Sequence, residues 1–293
     1  RRGDTPRSQR AVRRPHLNLP RRGEDAHLCH TRRVSISPRG AGPTNGLHAA
    51  DRGFLQLWGR FRDDLRGSLS RESLYVLLMA PAFLTLHVYL MKPRPFRRFF
   101  AEWRGHPNFE FYSFAWWYVG AGVMLCALPF LTSRLFIGRS WRELGGGWGD
   151  RSEAKPLAIA FGVMIVVVIA VGFSPEFARK YPLCDLARTD VRLFIVYQAM
   201  YGVYFLAWEF FFRGWMLRGL AGDFGTGAIW IQTIPFALLH FGKPMPETLG
   251  AIPAGLFLGW IAWRSRSFLY GWLVHWGVAA ALDTSIVLRA WNQ

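Results

Sequence analysis

From Leu157 to Phe173 the chain reads LAIAFGVMIVVVIAVGF, a run without a single charge. A helix needs about 20 residues, each rising 1.5 Å, to cross the hydrocarbon core of a bilayer. Inside lipid every backbone amide must find its partner within the segment, so such a run is read as a helix. Working outward, six more apolar runs follow the same logic. Leu74 to Met91 is interrupted by Pro81. Phe111 to Leu131 opens on Phe111, Tyr112, Phe114, Trp116 and Trp117, rings that favour the head-group boundary. Leu193 to Leu217, Ala228 to Phe241 (short for a full crossing), Leu249 to Trp263 and Phe268 to Leu288 complete the series. The pattern predicts an all-α polytopic membrane helix bundle with about six to eight transmembrane helices.

Composition alone decides less. The 293 residues are 51% apolar and 16% aromatic, values a soluble chain also reaches. The net charge of +17 raises nucleic-acid binding as a reading. Much of the excess, however, sits in the N-terminal tail and beside the apolar runs, where Arg and Lys meet anionic lipid and bias topology. The expected partners are therefore membrane lipids and no nucleic acid. Residues 1–70 are rich in Arg, Gly, Pro and Ser and lack an apolar core of signal-peptide type. They read as a disordered basic tail, or as an upstream extension that does not belong to the mature protein. Within it, Phe54 to Leu69 has the pattern of an amphipathic surface helix, with Leu55, Leu57, Trp58 and Phe61 near one side. Residues 71–191 read as N-terminal transmembrane helices and loops, and residues 192–288 as a separate functional segment. The tail and the stretch Arg134 to Lys155 fall on one side if the helices alternate, which favours a cytoplasmic N-terminus.

Cys29, Cys126 and Cys184 form neither a CxxC nor a metal-ligand spacing. Cys126 reads as a small packing residue. His27-Leu28-Cys29-His30 has no second ligand cluster to complete a metal site. Gly250, Ala254, Gly255 and Gly259 give the sixth run a small-residue surface for close helix packing.

The chemistry lies where polar groups interrupt the last runs. Glu209 and Arg213 stand in Trp208-Glu209-Phe210-Phe211-Phe212-Arg213-Gly214, His240 closes Phe236-Ala237-Leu238-Leu239-His240, and His275 lies within Trp272-Leu273-Val274-His275-Trp276-Gly277. An ionisable group at the centre of a membrane helix costs roughly 2.5–3.5 kcal/mol on insertion scales. Groups placed on three neighbouring runs are expected to face one another across a polar cavity. Glu209 and Arg213 have ion-pair spacing, and taken alone they read as a structural pair as readily as a catalytic one. Neutral imidazole binds metals or acts as a base, and a carboxylate polarises water. One reading is a divalent metal such as zinc held by His240, His275 and Glu209. There is no HExxH, so the usual zincin helix is absent. The other reading is metal-free hydrolysis, a Glu–His pair activating water and a second His stabilising the oxyanion. A proton-relay transporter is a further reading, opposed by the lack of repeated halves and the clustering of these groups near the C-terminus.

Glu–x–x–x–Arg–Gly, then Phe–x–x–x–His, then a late-helix His resembles the CPBP family of intramembrane proteases, the CAAX prenyl endopeptidases and bacteriocin-processing (Abi) relatives. The resemblance spans residues 192–288 and includes the connector Gly242-Lys243-Pro244-Met245-Pro246-Glu247. It implies a helical fold with its active site in the bilayer, and a multi-pass protein of the bacterial cytoplasmic membrane. It implies an endopeptidase acting on a hydrophobic or lipid-anchored peptide. Carried over by position, it implies Glu209, Arg213, His240 and His275 as the catalytic set, with Arg213 positioning Glu209. Two positions depart from the family pattern. The first of its paired glutamates is here Trp208, and the polar residue expected four places after the last histidine is Ala279. Adjacent helical positions point about 100° apart, so Glu209 reaches the missing carboxylate's place only through a local rotation or a π-bulge. Glu247 is a second acid within reach of the cavity. Asp283, about 12 Å beyond His275 along a helix, is a poor substitute for Ala279. Two outcomes remain: a variant enzyme built on Glu209, His240 and His275, or a catalytically inactive member that binds a partner or lipid.

Overall fold

A computed structural model of the chain describes residues 46–292, all of whose regular structure is helical. Polar residues just outside two of the apolar runs, Ser70 and Asp190, cap the helices that form from them. The helices are α1 Gly46–Arg66, α3 Pro93–Phe99, α6 Pro175–Lys180, α7 Leu186–Thr189, α9 Gly227–Leu238 and α10 Met245–Ser265, together with the five spans α2 Arg71–Met91, α4 Phe109–Phe136, α5 Arg151–Val171, α8 Val191–Phe224 and α11 Leu269–Trp291. These five are long and apolar enough to cross a membrane. The remaining two expected runs correspond to α9, which is shorter, and to α10, whose glycines, prolines and Arg264 dilute its apolar character. Ser70 caps α2 by accepting from the Ser73 amide, and the Asp190 carboxylate caps α8 by accepting from the amides of Arg192 and Leu193. Gly225 ends α8 at a φ of 51°, a left-handed backbone that suits glycine.

Of the segment read as a disordered tail, residues 46–66 are instead helical, as α1. Leu57, Trp58 and Phe61 are exposed along it, matching the amphipathic pattern. Cys29 and the His27–His30 motif lie outside the described residues. The chain divides into two units, residues 1–55 and 56–293, and the helix bundle with its cavities belongs to the second.

Helices in lipid gain little from hiding apolar surface, so contact quality and hydrogen bonds hold the bundle. α4 packs along α8, α8 along α11, α11 along α5, and α9 along α10. The α8–α11 seam is tied by two indoles of α11: Trp272 Nε1 donates to the Gly202 carbonyl (2.9 Å) and Trp276 Nε1 to that of Gln198 (3.1 Å). Trp215 donates to Ser133 Oγ on α4 (2.6 Å). Towards the lipid, α5 leaves Ile159, Val163, Val166 and Val167 exposed.

The centre of α8 is not α-helical. Phe210–Met216 forms a π-helical turn, in which the Leu217 N–H bonds the Phe212 carbonyl five residues back. A similar turn at Val123–Ala127 ends two residues before Pro129, whose missing N–H leaves the Leu125 carbonyl without its usual partner. On α8 the turn buries Phe210, Phe211, Phe212 and Trp215 completely. It also presses Gly214 against the 139–149 loop, where Trp141 stacks on Phe210 at 5.0 Å. A Cβ on Gly214 would sit 2.8 Å from the Leu144 carbonyl oxygen, a backbone atom that cannot swing aside. We predict that Gly214→Val lowers stability by about 1–3 kcal/mol, measured as thermal unfolding in detergent. An unchanged midpoint would mean that this loop does not dock tightly.

Candidate active site

The π-turn begins immediately after Glu209 and sets the geometry of the site. Neither Glu209 nor Arg213 exposes any side-chain surface, and they pair directly, Arg213 Nη1 donating to Glu209 Oε1 at 3.0 Å. The same oxygen takes a second bond, from Nδ1 of His275 on α11 at 2.7 Å. The Arg213 guanidinium also lies 4.0 Å from the centre of the Phe236 ring on α9, a cation–π contact. Gly271, one turn before His275, makes room for the carboxylate: a Cβ there would fall 2.7 Å from Glu209 Oε2.

His240 follows the end of α9, and its Nδ1 lies 2.8 Å from the Phe236 carbonyl. A carbonyl only accepts, so Nδ1 carries the hydrogen. Nδ1 of His275 donates to a carboxylate by the same logic. In their neutral forms both rings therefore offer the Nε2 lone pair. Both flank Phe236, with ring-centre separations of 4.8 Å for His240 and 5.9 Å for His275.

Two cavities meet at this pair. One, of about 470 Å³, is bounded by His87 and Lys92 of α2 and its C-terminal end, Trp117 of α4, Arg179 and Lys180 of α6, and Trp208 of α8. The other, of about 310 Å³, is apolar and lies between α5, α10 and α11, with Met164, Val168, Leu258, Val278 and Leu282 in its walls. His240, His275, Tyr201, Phe205 and Lys243 line both.

The structure thus brings His240 and His275 together, as their positions in the sequence led us to expect. It places Glu209 differently. The carboxylate lines neither cavity, because it lies behind His275 and is engaged by Arg213. The metal reading of His240, His275 and Glu209 does not fit this arrangement. Glu209 faces Nδ1 of His275, the nitrogen that is already protonated. Among the described residues no group of three or more His, Cys, Asp or Glu is gathered to hold a metal ion.

Glu247 lines the apolar cavity. It accepts from Tyr181 Oη (2.6 Å) and from Lys243 Nζ (2.7 Å). Burial opposes both charges, yet the pair wins: Lys243 is held above its ordinary pKa and Glu247 below its own. Lys243 and Glu247 are i, i+4, a legible spacing; Tyr181 gave no signal. Ala279 lines the apolar cavity, whereas Asp283 lines neither and accepts from Gln198 Nε2 at 2.8 Å. Cys126 and Cys184 are free thiols away from both cavities.

These features define a polytopic helical membrane protein with a histidine pair set between a polar and an apolar cavity. A family model described as Rce1-like, type II CAAX prenyl endopeptidase, matches residues 156–281. The match supports the CPBP family of CAAX-type proteases for that segment, which starts well before Arg192 and so includes most of α5. No curated protein and no solved structure matches the chain.

Removing Glu209 alone would strand a buried guanidinium. We predict that Glu209→Ala loses about 3–5 kcal/mol in thermal unfolding, and that Glu209→Leu combined with Arg213→Met recovers most of it. A double variant no more stable than the single one would show that the two charges are not coupled.

Proposed function

We propose that the protein is an intramembrane endopeptidase that hydrolyses peptide bonds of membrane-associated substrates without a serine or cysteine nucleophile. The observation that carries this reading is the convergence of two imidazoles, each with Nδ1 tied back and Nε2 free, on one cavity junction. A water between them gives one hydrogen to Nε2 of His275 as it attacks the substrate carbonyl. His240 Nε2 accepts the water's other hydrogen and holds it in line. Glu209 steadies the imidazolium that forms on His275, and Arg213 fixes Glu209. The proton then passes from His275 to the leaving amine. Trp208, where the family pattern has its first glutamate, brings an indole N–H that has no partner among the described residues. That donor suits the oxyanion of the tetrahedral intermediate.

One observation favours a second reading. Trp208 removes a carboxylate from the cavity wall, as expected of an inactive member that binds a partner or lipid there. The purified chain, offered a prenylated CAAX-type peptide and a generic hydrophobic peptide, separates the two. An enzyme shows turnover that His240→Ala and His275→Ala each lower roughly 10²–10⁴-fold while folding is retained. Glu209→Gln, which keeps the shape but not the charge, lowers kcat more than it raises KM. A wild-type protein that binds these peptides and cleaves neither would establish the binding reading instead.

A further inference from the structure

Of the described residues that line both cavities, Tyr201, Phe205, His240, Lys243 and His275, Lys243 alone is a permanent cation. Its backbone is fixed beside His240. The Lys243 amide donates to the His240 carbonyl (3.2 Å), which also accepts from the Thr248 hydroxyl (2.9 Å). Gly242 makes this turn possible at a φ of 85°, a left-handed backbone. Lys243 therefore stands one turn past an imidazole already assigned to the water, and at the same junction.

The side chain is held as firmly. Lys243 Nζ donates to Glu247 Oε1 at 2.7 Å and to Tyr181 Oη at 3.0 Å, and Tyr181 passes its own hydrogen to Glu247. An ammonium has three hydrogens. Two are engaged, and the third has no acceptor among the described residues. Because Glu247 keeps Lys243 above the ordinary lysine pKa, the group is a standing donor and not a base or a nucleophile. Its field reaches the neighbouring ring: burial first, and then Lys243, holds His240 down to about 4. Ala279, where the family pattern carries a polar residue, lines the apolar cavity with a methyl group and offers no donor. Lys243 lines that same cavity.

We propose that Lys243 is a further catalytic residue, giving its third hydrogen to the oxyanion of the tetrahedral intermediate alongside the Trp208 indole. The proposal rests on the endopeptidase reading above. As the water oxygen bonds to the carbonyl carbon, one water hydrogen passes to His275 Nε2. The π pair of the carbonyl settles on its oxygen, and the two N–H groups donate to that charge. On collapse the pair re-forms the carbonyl, the carbon–nitrogen bond breaks, and the amine leaves with the proton from His275. Lys243 neither gains nor loses a proton. A neutral carbonyl draws little on an ammonium and an oxyanion draws strongly, so the contact favours the transition state over the bound peptide. Glu247 and Tyr181 are then positioning residues that aim the ammonium.

The test uses the full chain in detergent and a peptide whose cleaved bond is located by mass spectrometry of the products. Two uncleavable copies of that peptide replace the bond with a tetrahedral centre, one a neutral hydroxyethylene and the other an anionic phosphinate. They differ at that centre in charge, and anisotropy of labelled copies reads affinity without turnover. The wild-type protein is expected to bind the phosphinate roughly 10²-fold more tightly. Lys243→Met is expected to erase most of that preference, to leave hydroxyethylene binding within about twofold, and to lower kcat about 10²–10³-fold with KM little changed. Lys243→Arg, which keeps charge and donors, is expected to restore part of both. Where Lys243→Met fails to fold, Lys243→Met combined with Glu247→Gln takes its place, since it leaves no unpaired carboxylate. A wild-type kcat in the methionine variant, or a phosphinate preference that survives in it, overturns the proposal and leaves the endopeptidase reading standing. An equal loss of affinity for both copies marks Lys243 as merely structural and overturns it as well. Absence of turnover in the wild-type protein ends the endopeptidase reading, and this proposal with it.

Discussion

A carboxylate and a guanidinium sealed together inside an apolar bundle is the constraint on which the rest of this structure depends. Neither Glu209 nor Arg213 touches solvent, so neither is tolerable without the other. Their mutual bond is internal to α8, but each also reaches outward. Glu209 grips His275 on α11, and Arg213 lies on the Phe236 ring of α9. Phe236 in turn supplies the carbonyl that orients His240. One ion pair thus links three helices and sets the direction of both imidazoles. A buried pair adds little net stability over a well-packed apolar substitute. What it contributes here is position, which fits a site where two lone pairs must meet.

The histidines also mark a chemical boundary. On one side the walls carry N–H groups and cations; on the other, aliphatic side chains of α5, α10 and α11. α5 has little packed against it besides α11, and much of its surface faces outward. A substrate arriving from lipid would meet the apolar side first, while water has its natural approach from the polar side. The reaction proposed for the pair needs both reactants, and the boundary is where they come together.

Much of this was legible in the residues. Leu157 to Phe173 is so long and so free of charge that no other element satisfies its backbone in lipid, and the last spans declared their ionisable groups by contrast with their neighbours. The pairing of Glu209 with Arg213 follows from spacing alone. What could not be read was the face on which each side chain emerges. Glu209 was expected to act directly on water, yet the backbone turns it behind His275, and only the shape of α8 decides that. Of the helix over residues 46–66, the part from Phe54 onward showed in its amphipathic pattern, while the start at Gly46 did not, because an amphipathic segment and an unfolded basic tail share much of their composition. His87, Lys92 and Tyr181 escaped notice since each lies far along the chain from the motif residues and meets them only through folding.

The wide turn at Phe210–Met216 gives α8 a crank. An ordinary helix presents one continuous stripe to one neighbour; inserting an extra residue into a turn swings everything beyond it by about 100°. Before the crank, Tyr197, Tyr201 and Tyr204 mesh with Tyr118 of α4. Past it, Gly219 meets Val76 of α2, on a different flank. A single rod therefore serves as the axle for two sets of partners that a straight one would have to choose between. The throw of that axle falls at the very residues that hold the ion pair.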